Sequence, residues 1–448
     1  MNTTRRQFLA SGIGATAVVS LGSLPNAFGQ APVSPHDAPS TAPATPFKPG
    51  KAKSVIQIWQ WGGPTHLDTF DPKPEAGPDY CGPLGKPIDT AAPGMRIGQL
   101  LPLLAAQAEK FSIVRSLTHG NNNHETAAYI MQTGRTPGGG IQYPNTGAVT
   151  SLFKGVDAGY DNPIPPYVVL TTGQGRFSES GFLNSKHKPF ITGGDPTRDP
   201  FIVSGFVVRG ITPERQSLRK DFVKQLDALG QADPDNALYQ QIDSSVDAAY
   251  NLITGSAVKT FDLTTESDET RRKYGRNQFG QSCLVARRLV EVGVPYITIN
   301  YPGWDTHKRH FDAMNRMLPM LDAGLATLIE DLAARNLLDT TVVWMCGEFG
   351  RTTKIDPNAP WFGGRHHFGD CFSAFVAGGG FVGGKVVGAS DEHGNKVVDR
   401  PVAPQDLLGS ILELSGINPD APIPNTRGYD VPVMLAPSAA GRLREIMS

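Results

Sequence analysis

Histidine and carboxylate side chains recur in five short segments of this sequence, each rich in glycine or asparagine. The candidate metal ligands among them are Asp68, Asp305, His307, Glu348 and His367. Imidazole nitrogens and carboxylate oxygens are the donors found in zinc, manganese and iron sites, and carboxylates also suit calcium. If the fold brings these side chains together, they predict a site for one or two divalent metal ions.

A second group of polar side chains surrounds the predicted start of a helix. Asparagine and threonine side chains cap free backbone amides at such a start, and the positive end of the helix dipole suits phosphate or sulfate. We therefore expect substrate binding and catalysis in this segment, assisted by an arginine from a later loop. The substrate-binding candidates are Asn121, Asn122, Asn123 and Arg135, and the catalytic candidates are His124, Thr126 and Arg351.

Short apolar runs precede four of the polar segments. Residues 54–60, 112–116, 296–300 and 342–346 are rich in β-branched and aromatic side chains and are too short for buried helices. They predict four strands, each followed directly by candidate site residues. Because parallel strands of an α/β sheet end at one edge, where loops carry ligand-binding groups, the site should form there.

Amphipathic helical segments alternate with these strands. The spacing predicts one helix over residues 271–292, with Arg287 facing outward, and a long helix or a helix pair over residues 309–335. Leu321, Leu325 and Leu328 belong to the buried stripe of the long helix. Alternation of helix and strand to the end of the chain is typical of an α/β sandwich with a mostly parallel sheet.

Composition narrows the range of partners. The chain has 448 residues and is 39% hydrophobic, which is ample for a large core. Its 41 basic residues nearly balance its 42 acidic residues, which argues against a nucleic-acid partner held by bulk charge. Four scattered cysteines predict neither a zinc cluster nor a disulfide-dense scaffold.

The N-terminal residues carry a targeting pattern. Arg5 and Arg6 precede a small-residue apolar region that is too short to span a membrane. We expect residues 1–30 to be a twin-arginine signal peptide that exports the protein to the periplasm or the extracellular space, with no transmembrane segment after cleavage. We expect residues 31–53 to form a flexible linker and residues 54–448 to form a single domain.

Five motifs follow one another along the mature chain, at residues 62–74, 124–126, 303–307, 347–352 and 364–367. In this order they resemble the DUF1501 family, exported relatives of the sulfatase and alkaline phosphatase superfamily. The resemblance implies a three-layer α/β/α sandwich, alkaline-phosphatase-like, and a metal-dependent hydrolase of phosphate or sulfate esters. A non-catalytic envelope protein that binds sulfated or phosphorylated glycans is the alternative.

The resemblance also implies metal ligands. Asp305, His307 and His367 look like the ligands of one ion, and Glu348 stands where the superfamily has an aspartate. The next superfamily ligand is replaced by a phenylalanine, which cannot ligate. The aspartate expected directly after the first strand is also missing, and Asp68 or the nearby His66 would substitute for it if the Gly-Gly turn folds back.

The nucleophile departs from the sulfatase pattern. In sulfatases a cysteine lies nine residues before a Thr-Gly pair, and the same count back from Thr133 reaches His124. The sequence therefore lacks the motif for formylglycine. His124, Thr126 and a metal-bound water are the remaining candidates, with Arg351 and the asparagines stabilising negative charge.

Overall fold

A computed structural model describes residues 49–203 and 257–448, together with three single positions between these ranges. The predicted signal peptide and most of the predicted linker lie outside the described residues. Among the helices that are described, none combines the length and the apolar character needed to cross a membrane.

An eight-stranded sheet forms the middle layer. Its strands are β1 (Ser54–Trp59), β2 (Phe111–Leu117), β3 (Tyr167–Leu170), β4 (Phe190–Ile191), β5 (Tyr296–Asn300), β6 (Thr341–Cys346), β7 (Phe372–Ala377) and β8 (Val386–Val387). Their order across the sheet is β8-β2-β7-β6-β1-β5-β3-β4, and within it β7 runs antiparallel to both neighbours. The other pairings are parallel, which confirms the prediction of a mostly parallel sheet.

Helices cover both faces of the sheet. The longer ones are α1 (His124–Thr133), α2 (Thr146–Lys154), α3 (Asp268–Tyr274), α4 (Gln278–Glu291), α5 (His310–Ala334) and α6 (Pro404–Leu414). Short helices occur at Pro78–Cys81, Pro102–Ala105 and Ala257–Phe261. Alternate residues of β1 enter two separate cores: Ile56 and Ile58 pack with α4 and α5, whereas Val55 and Trp59 pack with α1 and α6. The three-layer α/β/α prediction is therefore confirmed.

The helical predictions were right for α5 and wrong for the segment before β5. The leucine stripe of α5 is fully buried, as expected. The helix predicted over residues 271–292 is instead two helices, because Gly275 adopts a φ of 91° and ends α3. Arg287 does not face outward: its side chain is 2% exposed and is ion-paired with Glu266 and Asp331 at 2.9 and 3.1 Å.

The direction of β7 brings a late loop to the edge where the other strands end. The parallel strands β1, β2, β5 and β6 all end at this edge. Because β7 is antiparallel, it begins there, so the segment that leads into Phe372 also lies there. A two-residue ladder pairs His367–Phe368 with Gly350–Arg351 and holds this segment against the loop after β6.

Candidate metal centre

Three side chains from distant parts of the chain meet at this edge: His124 at the start of α1, Asp305 after β5 and His367 before β7. His124 Nε2 lies 3.5 Å from Asp305 Oδ2, and His367 Nε2 lies 3.2 Å from Asp305 Oδ1. The three donor atoms all lie within 4.8 Å of one another. Ligand atoms around a tetrahedral zinc ion are about 3.3 Å apart, given bond lengths near 2.0 Å. The spacing therefore fits three protein ligands around one ion.

A further imidazole borders this trio. His307 Nε2 lies 3.1 Å from Asp305 Oδ1 and 2.8 Å from His367 Nε2, while its Nδ1 faces His366 Nδ1 at 3.2 Å. His366 points away from the trio, with Nε2 3.2 Å from Asp356. Of the two adjacent histidines, His367 therefore belongs to the cluster and His366 lies outside it.

Glu348 contacts the far side of His124. Its Oε1 lies 2.6 Å from His124 Nδ1 and also accepts a hydrogen bond from the Gly62 amide at 2.9 Å. Because Nδ1 of His124 contacts this fully buried carboxylate, the other ring nitrogen, Nε2, is the one that faces Asp305. A carboxylate that holds the second nitrogen is typical of metal-binding histidines. The sequence predicted Glu348 as a metal ligand; in the structure its carboxylate contacts His124 and the Gly62 amide.

The asparagine segment orients His367 and caps α1. His367 Nδ1 lies 2.8 Å from the Asn122 carbonyl oxygen, which leaves Nε2 facing Asp305. Asn123 Oδ1 accepts a hydrogen bond from the Thr126 amide at 3.1 Å, so the predicted cap is confirmed. Asn121 Oδ1 accepts from the Asn123 amide, and Asn122 Oδ1 from the Gly369 amide. These contacts hold the loop in place, whereas the sequence had assigned the asparagines to substrate.

The other predicted catalytic and binding residues occupy two different places. Thr126 lines a cavity of about 270 Å³ beside α1, together with Tyr129 and Tyr143. Arg135, at the far end of α1, is buried and donates a hydrogen bond to the Pro432 carbonyl at 2.7 Å. Its guanidinium lies 4.4 Å from the centre of the Tyr143 ring. Arg135 is therefore engaged in packing and does not join the cluster.

Arg351 is buried beneath the cluster. It contacts Asp305 and the carbonyl oxygens of Gly62, Gly63 and Arg365, so each of its three nitrogens has a partner. Its side chain is 0% exposed. The sequence predicted that Arg351 would face the substrate, but in the structure it holds Asp305 and the turn after β1.

Asp68 does not reach the cluster. Asp68 is buried, with His310 Nε2 at 2.8 Å and Arg365 Nε at 3.5 Å. His66 is also buried, with Nε2 2.9 Å from the Gly394 carbonyl oxygen. A buried carboxylate needs a charged partner, and Arg365 supplies it here. Neither residue takes the position of the missing aspartate.

Two aromatic side chains lie beside the imidazoles of the trio, and the sequence did not predict this role for them. The ring of Phe349 lies 4.9 Å from that of His124 and stacks on that of His367 at 4.5 Å. The ring of Trp61 stacks on that of His124 at 6.0 Å. Each lies within three residues of the end of a predicted strand, which is the one signal that could have identified them. They restrict the rotation of the two imidazoles.

Glycine is required at position 62, and this leads to a prediction. Its φ is +114°, and a Cβ atom there would lie 2.1 Å from the Asp305 amide nitrogen. We expect Gly62→Ala to lower the free energy of unfolding by at least about 2 kcal/mol and to displace Asp305. Gly77→Ala is the control, because Gly77 also has a positive φ but open space around it. Thermal unfolding should separate the two variants, and equal losses would contradict the prediction.

The charges of the trio are strongly coupled. Hydrogen bonds to Asp305 and then to Glu348 raise the pKa of His124 from 6.5 to about 9. Burial acts to raise the pKa of Asp305, but hydrogen bonds from two imidazoles and a guanidinium outweigh it and hold that pKa well below its usual range. In the absence of metal, His124 is therefore protonated at neutral pH and pairs with both carboxylates.

This pKa predicts how metal binding depends on pH. An ion bound through His124 would have to displace the proton on that ring, so metal affinity should rise about tenfold per pH unit from about pH 7 and level off above about pH 9. The protonated pair stabilises the metal-free protein below pH 6.5, and that contribution is lost as the pH rises through about 9. Calorimetric titration with zinc in two buffers should detect about one proton released per ion at neutral pH. An affinity that does not change with pH would contradict this.

Several solved structures resemble this chain. A protein of the alkaline phosphatase superfamily from Vibrio parahaemolyticus is 12% identical, with 88% of this chain and 70% of that one covered and a TM-score of 0.38. A sulfatase from Pseudoalteromonas sp. is 12% identical over 84% and 69% of the two chains, with a TM-score of 0.34. The lipoteichoic acid synthase LtaP from Listeria monocytogenes is 9% identical over 87% and 76%, with a TM-score of 0.35. No curated protein matches the sequence.

A family model covers most of the chain. The model described as protein of unknown function, DUF1501, matches residues 52–440 of the 448. The matched range includes every member of the trio and the residues that orient them. The family predicted from the five motifs is confirmed, and this chain belongs to the DUF1501 family.

Proposed function

We propose that this protein is an exported, metal-dependent hydrolase of sulfate or phosphate esters that works without formylglycine. The observation that carries the proposal is the trio of His124, Asp305 and His367, whose donor atoms face one another at the edge where the strands end. In each imidazole the Nδ1 atom, which points away from Asp305, already has a partner. This partner is Glu348 for His124 and the Asn122 carbonyl for His367. Such preorganisation is expected of a metal site and is not needed for packing.

The donor set narrows the choice of metal. Two imidazoles and one carboxylate suit zinc, manganese or iron, whereas calcium prefers six to eight oxygen ligands. When bound, the ion would supply a Lewis acid that polarises an ester oxygen. Three protein ligands also leave a position for substrate, as catalytic zinc sites do. We propose zinc as the first candidate, with one ion per chain.

The residues of the chain would bind and orient the ester. The start of α1 lies beside His124, and the positive end of the helix dipole there favours the negative oxygens of a sulfate or phosphate group. Trp61 and Phe349 both contact the His124 ring, and Phe349 also stacks on that of His367, so the two side chains would limit access of water to the imidazoles. We propose water as the nucleophile, with the hydroxyl group of Thr126 as the second candidate because Thr126 lines the adjoining cavity.

A non-catalytic glycan-binding protein is the second candidate function. It is favoured by Arg351, whose guanidinium is fully buried and contacts Asp305 and backbone carbonyls, so that it cannot stabilise charge on a substrate. In this case the protein would bind sulfated or phosphorylated glycans in the cell envelope. Export by the twin-arginine pathway, to the periplasm or beyond, belongs to both proposals and rests on Arg5 and Arg6.

The test is metal content together with ester hydrolysis. Purified mature protein should contain about one equivalent of a transition metal by elemental analysis and should hydrolyse members of a panel of aryl phosphates and sulfates. A chelator should abolish turnover, and one metal should restore it. His367→Ala should lose metal and turnover, while His393→Ala, a matched replacement outside the cluster, should lose neither. Wild-type protein that takes up no metal after reconstitution would refute the hydrolase.

A further inference from the structure

A loop beside the candidate metal centre exposes two aromatic side chains. The phenyl group of Phe362 is 63% exposed. The Trp361 ring is half-buried and lies 5.0 Å from the ring of His366 and 5.9 Å from that of His307. His307 in turn contacts Asp305. The aromatic surface is therefore continuous with the imidazoles that border the metal centre.

Backbone hydrogen bonds hold this loop in a defined shape. The Asp356 amide donates a hydrogen bond to the Gly364 carbonyl at 3.0 Å, and the Gly363 amide donates one to the Asp356 carbonyl at 2.8 Å. The Phe362 amide donates to the Asn358 carbonyl at 2.9 Å. The closed loop keeps the phenyl group in solvent, beside the site and away from the core.

The backbone at Phe362 is strained. Its φ is +47°, a left-handed conformation that costs a bulky residue about 1 kcal/mol or more and that glycine adopts freely. Neither the core nor the loop's hydrogen bonds use the phenyl group. A strained and exposed aromatic residue beside a candidate site indicates that the side chain has a binding role.

Two lysines flank the aromatic pair. Lys308 Nζ lies 5.9 Å from the centre of the Trp361 ring, and Lys354 borders a pocket of about 710 Å³ that also includes His366. Within the described part of the chain, neither lysine forms an ion pair. The same pocket carries the polar side chains of Asp79, Asp356 and Asn358.

This combination matches one kind of ligand. A pyranose ring has an apolar C–H face that stacks on aromatic rings and a rim of hydroxyl groups that bond to carboxylates and amides. Unpaired lysines add affinity for a sulfate, phosphate or carboxylate substituent. The pocket volume lies within the range of about 300–1,000 Å³ that is usual for ligand sites.

We propose that Trp361, Phe362 and Lys308 form a subsite for a sugar ring of an anionic glycan, with the Lys354 pocket receiving the adjoining sugar. The substrate of the proposed hydrolase would then be an ester on a polysaccharide chain. The statement that this ester is the substrate rests on the proposed function. Glycan binding at the subsite is independent of the proposed function, because no residue of the subsite belongs to the trio.

Affinity electrophoresis tests the subsite, with dextran sulfate as probe and uncharged dextran as control for the same sugar backbone. We expect the wild type to be retarded by dextran sulfate and Phe362→Gly to bind about tenfold more weakly. This replacement relieves the left-handed strain, so its unfolding temperature should equal or exceed that of the wild type. Lys308→Ala should also weaken binding and reduce its dependence on salt. Leu103→Ala, an exposed apolar residue outside the loop, should bind as the wild type does.

The test of the subsite can succeed or fail independently of the test of the hydrolase proposal. Asp305→Asn, which replaces a member of the trio and no residue of the subsite, should bind dextran sulfate as tightly as the wild type. If the wild type binds but no ester is hydrolysed, the subsite stands and the enzyme proposal fails. If Phe362→Gly binds as the wild type does, or if dextran sulfate and dextran bind equally, the subsite is refuted even where ester hydrolysis is found.

Discussion

Asp305→Asn should remove the metal from the purified protein and lower ester turnover by at least about a thousandfold. Asp305 supplies the one carboxylate of the trio and contacts both of its imidazoles. Asparagine keeps the size of the side chain and an oxygen for Arg351, but it lacks the negative charge that an ion requires. Elemental analysis and steady-state kinetics on the same preparation give both readouts.

The matched control is Asp312→Asn. Asp312 lies seven residues along the chain, is exposed and pairs with Arg309 at 2.7 Å. Its replacement should change neither metal content nor turnover, since surface ion pairs contribute little. Circular dichroism should show that both variants retain the fold. A full complement of metal in Asp305→Asn would exclude the trio as the metal site.

Asp68→Ala should cause the largest loss of stability, about 3–5 kcal/mol, without changing the metal content of the molecules that remain folded. Asp68, His310 and Arg365 are all buried, so removal of the carboxylate leaves the guanidinium without its charged partner. Arg365 also donates hydrogen bonds to the carbonyl oxygens of Thr352 and Tyr80, which ties this group to the loop before His367. Denaturant unfolding measures the loss directly.

A double replacement distinguishes loss of the ion pair from loss of the side chain. Combining Asp68→Asn with Arg365→Gln removes both charges, so part of the stability lost in the single Asp68→Asn variant should be recovered. If Asp68→Ala instead unfolds as the wild type does but has no metal, Asp68 is a ligand, as the sequence had suggested. The two roles therefore give opposite results in unfolding and in elemental analysis.

Much of the framework could be predicted because its signals are local. Four short apolar runs became β1, β2, β5 and β6, and the leucine stripe of α5 is buried as expected. Side-chain periodicity reports which face of a strand or helix is apolar, and this depends on neighbouring residues only. Because parallel strands end at one edge, the same signals also predicted which loops would carry the site.

The arrangement of the site could not be predicted in the same way. Glu348 and Asp68 both follow strands, yet one orients His124 and the other pairs with Arg365. His366 and His367 are adjacent, and the ladder with Gly350–Arg351 helps to hold the segment in which only His367 meets Asp305. These outcomes depend on contacts between residues far apart in the chain.

The three-layer fold, the family and the edge of the sheet at which polar side chains collect could all be predicted before the structure, because hydrophobic pattern and motif order are properties of the chain alone. The tertiary structure decided which of those side chains share a site. The antiparallel direction of β7 brings His367 to Asp305, and burial obliges Asp68 and Arg351 to find charged partners. Packing and charge pairing across the whole fold therefore selected the trio of His124, Asp305 and His367 from a larger set of candidates.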